Sequence, residues 1–170
     1  LKNINLWGTS TGAPISLRYA ARYQSRVRSV ITYPSFKTNA GSRKTFQSFQ
    51  DIAETFGYEA LARLTSWIGC ADQNAFGQVG NEVALYEIEA FKRNFSLESL
   101  AKTLETFAHL DLTSDLEKLK VPVLVLLGDS GKLGGKTAAM SEAVRLFQAH
   151  CPHCQVVQIK DGGGTYCMIE

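Results

Sequence analysis

Residues 121–127 read Val-Pro-Val-Leu-Val-Leu-Leu, seven apolar side chains in an unbroken run, and Gly128 follows. The run is far too short to cross a bilayer as a helix. It reads as a buried strand. Near-continuous apolar strands are the habit of parallel sheets covered on both faces, because a sheet with one wet face alternates instead.

Three other segments suit the same sheet. Ile4–Trp7 is a short apolar run that ends at Gly8, Val27–Tyr33 (VRSVITY) is β-branched, and Gln155–Lys160 (QVVQIK) ends at Asp-Gly-Gly-Gly. Between the first two, Ala13, Leu17, Ala20 and Ala21 recur at i, i+4, i+7 and i+8, which predicts a helix over Gly12–Tyr23. Pro14 falls in its first turn, where the missing N–H is not needed. Another helix is predicted from about Thr137 to His150, ahead of the fourth strand. Residues 37–119 differ in kind. They read as helices over Thr45–Phe56, Glu59–Ile68, Asn81–Phe95 and Leu97–Ala108, with breaks at Gly57, Gly69 and Gly80 and with Ser96 as an N-cap. The aromatic residues of this stretch fall on those helices and are expected mostly to pack its core. The alternation predicts an α/β protein with a parallel sheet, one domain in three parts: 1–36, a helical insertion over 37–119, and 120–170.

At 170 residues the chain can bury one real core, and 45% hydrophobic against 20% charged residues is ordinary for a globular protein. The net charge of +2 comes from scattered Lys and Arg, which leaves no basic stripe for nucleic acid. No apolar run suggests a membrane partner, and the N-terminus lacks the pattern of a signal peptide. Cys70, Cys151, Cys154 and Cys167 are too few for a disulfide framework in a chain of this size, so a reducing, cytoplasmic setting is the expectation.

The chemistry centres on Gly8-Thr9-Ser10-Thr11-Gly12, a G-x-S-x-G pattern with a strand before it and a helix after it. In that context the serine occupies a sharp, strained turn that calls for small neighbours, and its hydroxyl projects above the sheet at a helix N-terminus. The amide of Thr11 is then free to bind a developing oxyanion. The plainer alternative is a tight turn permitted by Gly8 and Gly12, with Ser10 capping the helix.

Here the chain resembles the α/β-hydrolase family. The segment INLWGTSTGAPISLRYAARYQSRVRSVI is similar to that family's nucleophile strand, elbow, helix and next strand. DLTSDLEKLKVPVLVLLGD is similar to the approach to its acid-bearing strand, and CQVVQIKDGGGTYCMIE to its last strand and histidine loop. The resemblance implies a partial α/β-hydrolase fold, a parallel sheet with a helical lid insertion. It implies hydrolysis of a small ester, lactone or thioester, with Ser10 attacking the carbonyl and Thr11 lending its amide. It also implies that the chain starts at the family's fifth strand, without the first half of the sheet and without the second oxyanion donor. A missing N-terminal half or a second chain is then the expected partner, beside Ile4–Trp7 as an open edge.

The triad departs from the family pattern. The acid position, three residues after Gly128, is Gly131, and the nearby carboxylate is Asp129. The histidine position, five residues before Glu170, is Thr165, which cannot take a proton from a serine near neutral pH. His109, His150 and His153 all precede the last strand. Two readings therefore stand side by side: a serine hydrolase with an incomplete triad in this chain, and a non-catalytic scaffold that binds a ligand or protein.

No cofactor or metal is assigned. Ser130–Thr137 comes near a phosphate-binding loop, but the pattern needs glycine where Ser130 stands. Cys151-Pro152-His153-Cys154 matches the tetrapeptide of some thioredoxin-like oxidoreductases. There the motif opens a helix, whereas here it follows one. A metal site is the other alternative, since thiolate and imidazole ligands lie close together, but no second ligand pair stands nearby in sequence, so a connecting loop is the expectation.

Overall fold

A computed structural model describes residues 1–33, 40–69, 81–94, 96–128 and 138–159. Four strands fall among these residues: β1 (Ile4–Thr9), β2 (Val27–Tyr33), β3 (Val123–Gly128) and β4 (Gln155–Ile159). They form one parallel sheet in chain order, with Leu6 beside Val30, Val30 beside Val123, and Val125 beside Val156. The helices are α1 (Gly12–Arg22), α2 (Ala40–Phe56), α3 (Tyr58–Gly69), α4 (Asn81–Asn94), α5 (Leu97–Ala108), α6 (Thr113–Lys118) and α7 (Ala138–His150). None of the described helices is long and apolar enough to cross a membrane.

Parallel strands in chain order need crossovers that all advance the same way across the sheet. Such crossovers are right-handed, so their helices return on one face. The core has that form: Leu17, Ala20 and Ala21 of α1, Leu116 of α6 and Phe147 of α7 meet Val30, Val123, Val125 and Leu127 of the sheet. On the opposite face Trp7 and Val157 are exposed. The strand pattern predicts cover on both faces; among the described residues the main cluster lies on one, and Ile31, Leu124 and Leu126 on the other are half-buried.

Two connections hold α6 in this core. Arg18 of α1 donates from Nε to Asp115 Oδ2 at 2.8 Å and from Nη2 to the Asp111 carbonyl at 2.8 Å. The Gln24 amide bridges the chain entering β3, donating to the Lys118 carbonyl at 2.8 Å and accepting from the Lys120 amide at 2.9 Å. Asp111 Oδ1 accepts the Thr113 amide at 2.9 Å and so starts α6. The backbone and side-chain hydrogen bonds of Thr113 hold the Asp111 carboxyl below its ordinary pKa, against a small opposing effect of burial.

The helical middle packs largely on itself, with α2 against α3 and α5, and α3 against α4. Gly57 sits at φ 83° and its amide bonds the Ala53 carbonyl, which ends α2 and lets α3 start one residue later. The expected N-cap of α5 is present. Ser96 Oγ accepts the Ser99 amide while Ser99 Oγ accepts the Ser96 amide, a capping box with serine in the acidic position.

Thr32, wholly buried on β2 beside Gly8, leaves its hydroxyl without a partner among the described residues. An unpaired buried hydroxyl costs about 1 kcal/mol or more, and valine has nearly the same shape without that cost. Thr32→Val should therefore raise the melting temperature by roughly 2–4 °C. Calorimetry checks this, and a fall would mean that the hydroxyl is bonded after all.

Candidate active site

Ser10 leaves the end of β1 at φ 48°, in the left-handed region that costs an L-residue about 1–3 kcal/mol. Asn3 also has a positive φ, but asparagine tolerates that region and serine has no such excuse. The turn is fixed on both sides. The Ser10 amide reaches the Tyr33 carbonyl at 3.3 Å, continuing the β1–β2 ladder by one residue, and the Ala13 amide donates to the Ser10 carbonyl at 3.1 Å as α1 begins. Thr11 stands at the helix N-cap with no side-chain cap bond. Among the described residues, neither the Thr11 amide nor the Ser10 hydroxyl has a hydrogen-bond partner. The capping alternative for Ser10 thus finds no bond to support it. A strained serine, a free amide and a helix N-terminus converge at the C-terminal edge of the sheet, an arrangement that suits attack on a carbonyl and support of the resulting oxyanion.

The two glycines of the motif differ. A Cβ on Gly8 would collide with the Gly12 carbonyl oxygen and lie 2.5 Å from Ser16 Oγ, whereas a Cβ on Gly12 would meet nothing within 4 Å among the described residues. The sequence pattern predicts small residues on both sides of Ser10. The backbone's own packing requires one only at Gly8.

The candidate acid Asp129, the acid position Gly131, the histidine position Thr165 and the loop Ser130–Thr137 lie outside the described residues. The described histidines do not meet Ser10. His150 ends α7, with Nδ1 3.0 Å from Glu117 Oε1, and His153 Nε2 lies 3.2 Å from the Val121 carbonyl. Both precede β4. In a parallel sheet that places them at the N-terminal edge, a strand's length of roughly 17–20 Å from the Ser10 edge. His109 caps α5 and is exposed.

One feature of this far edge escaped the sequence reading. Cys151 and Cys154 are joined as a disulfide, with His153 Nε2 3.8 Å from Cys151 Sγ. The C-x-x-C spacing was the available signal, and its place after a helix argued against it.

The strand–elbow–helix unit in an open parallel sheet defines a class, the α/β hydrolases. The sequence profile of the α/β-hydrolase fold matches residues 1–165, and the chain belongs to that family. Solved structures agree on the fold. A bromoperoxidase from Bacillus anthracis shares 21% identity at a TM-score of 0.76, over 95% of this chain and 60% of its own. A hydrolase from Oleispira antarctica shares 16% at 0.73, over 100% and 61%. A thermophilic esterase from Thermogutta terrifontis, solved with malate bound, shares 20% at 0.72, over 98% and 60%. The chain thus spans about three fifths of the length of each. No curated protein matches it.

Proposed function

We propose that this chain carries the nucleophile of a serine hydrolase acting on a small ester, lactone or thioester. The observation that carries the reading is the left-handed Ser10 between β1 and α1. In the reaction, Ser10 Oγ attacks the carbonyl, its proton passes to a base, and the acyl group moves to the serine oxygen as the alcohol or thiol leaves. The Thr11 amide stabilises the tetrahedral oxyanion. Asp129 is the carboxylate assigned to the acid's role, and the helices of the 37–119 insertion would act as a lid that shapes the acyl pocket. The esterase among the similar structures supports an ester as the substrate class.

A second reading is a non-catalytic scaffold that keeps the elbow and binds a ligand or partner. What favours it is the base: Thr165 stands where the family pattern has histidine, and His150 and His153 lie at the wrong edge of the sheet for Ser10.

Covalent labelling separates the two. A fluorophosphonate should add one phosphonyl group per chain by intact mass, and Ser10→Ala should abolish the adduct. Full labelling of the variant would place the reactive group elsewhere. No labelling of folded wild-type protein would leave the scaffold as the function.

A further inference from the structure

The loop between α7 and β4 holds a second chemical centre, at the opposite edge of the sheet from Ser10. The Cys151 amide makes the last bond of α7, to the Phe147 carbonyl, and the Cys154 amide closes a turn onto the Cys151 carbonyl at 2.9 Å. Three side chains converge there. The two sulfurs are bonded, and the donor atoms of Cys151, His153 and Cys154 all lie within 4.8 Å of one another. Cys151 is buried, Cys154 is half-buried and His153 is exposed, so the cluster opens to solvent on one side.

We propose that Cys151, His153 and Cys154 form a zinc site when their disulfide is reduced. The donors are the two thiolates and the imidazole that zinc prefers, and two cysteines separated by two residues match the knuckle spacing of structural zinc sites. The geometry is close to what the ion needs. Zn–S and Zn–N bonds of about 2.3 and 2.0–2.1 Å at a tetrahedral angle put sulfur and nitrogen roughly 3.6 Å apart. His153 Nε2 already lies 3.8 Å from Cys151 Sγ. The sulfurs must separate to about 3.8 Å by the same arithmetic. The Cα atoms stand 5.5 Å apart on a turn that keeps its own backbone bond, so side-chain rotation suffices. Water takes the fourth position.

The place in the fold also favours a cation. The site abuts the C-terminal end of α7, where carbonyl dipoles attract positive charge. The steps balance. A small dithiol passes two electrons and two protons to the disulfide and becomes a cyclic disulfide itself, and zinc then displaces the two thiol protons into solvent. His153 exchanges its contact with the Val121 carbonyl for the metal at Nε2, its ring proton moving to Nδ1.

The test uses the full chain, oxidised or reduced with a phosphine, titrated with zinc against a chromophoric chelator and with cobalt for its thiolate charge-transfer band. The reduced chain should take up one zinc and show the band, and the oxidised chain should do neither. Cys154→Ser should lose the site. His153→Ala should weaken it roughly tenfold or more, given that even outer-shell partners are worth 10–100-fold. Cys70→Ser and Cys167→Ser should leave it intact. Zinc uptake that is absent on reduction, that survives Cys154→Ser, or that depends on Cys70 or Cys167 would overturn the proposal. Because the readout is metal uptake, it fails independently of any result at Ser10.

Discussion

Gly8→Ala should lower the melting temperature by about 6–12 °C, while Gly12→Ala should leave it unchanged or slightly raised. Both replacements add one methyl group inside the same five-residue motif, so the contrast isolates packing from chemistry. At Gly8 the methyl lands on the Gly12 carbonyl and 2.5 Å from Ser16 Oγ. Neither neighbour can retreat cheaply, because Ser16 is buried and Gly12 opens α1. Gly8 itself is held in register with Thr32. Overpacking of this kind costs about 1–3 kcal/mol, and contact with backbone rather than a flexible side chain places it near 3. Against a total stability of about 5–15 kcal/mol, that is a large share. At Gly12 the methyl meets none of the described residues and the backbone is not left-handed. There alanine gains up to about 0.5–1 kcal/mol as the better helix former. Calorimetry on both variants decides it, and equal shifts would mean that the close approach of α1 to β1 is not what Gly8 serves.

That contrast also shows what could be read from the residues. G-x-S-x-G after an apolar run is visible in any sequence, because the motif and its strand–turn–helix setting are local. Which glycine is compulsory depends on the distance between α1 and β1, and no spacing reports it. The strands followed from composition, although β1 runs on to Thr9, two residues past the apolar run, because ladder bonds do not require apolar side chains. Helix α2 begins at Ala40 rather than Thr45. The six-residue α6 gave no periodic signal at all, since under two turns cannot repeat a 3.6-residue pattern. Tertiary bonds from Arg18 and the Asp111 turn hold it instead. The serine's place and its strained turn were legible from the motif, while the bonds to the Tyr33 carbonyl and from the Ala13 amide that fix the turn were not. Thr165 and Gly131 remain sequence arguments, because both lie outside the described residues.

Arg18→Ala should be the more damaging half of a second pair. Asp115 keeps only 10% of its side-chain surface and takes its charge partner from Arg18 Nε at 2.8 Å, across 97 residues of chain. Truncating the arginine strands a buried carboxylate and frees the Asp111 carbonyl that Nη2 had satisfied. Breaking a buried pair from one side costs about 3–5 kcal/mol. Arg18 is itself 36% exposed, so water reaches the site and the expected loss falls to about 2–3 kcal/mol. Asp115→Asn keeps an acceptor for Nε and removes the charge, so it should cost about 1 kcal/mol. The double replacement Arg18→Met with Asp115→Leu should recover most of the Arg18→Ala loss, because apolar contact between α1 and α6 substitutes for a pair whose desolvation offsets much of its attraction. Urea midpoints with an unchanged slope across the four proteins measure these differences. If Arg18→Ala and Asp115→Asn prove equally mild, the pair is a surface contact, and the docking of α6 rests on Leu112, Leu116, Leu119 and the Gln24 bridge.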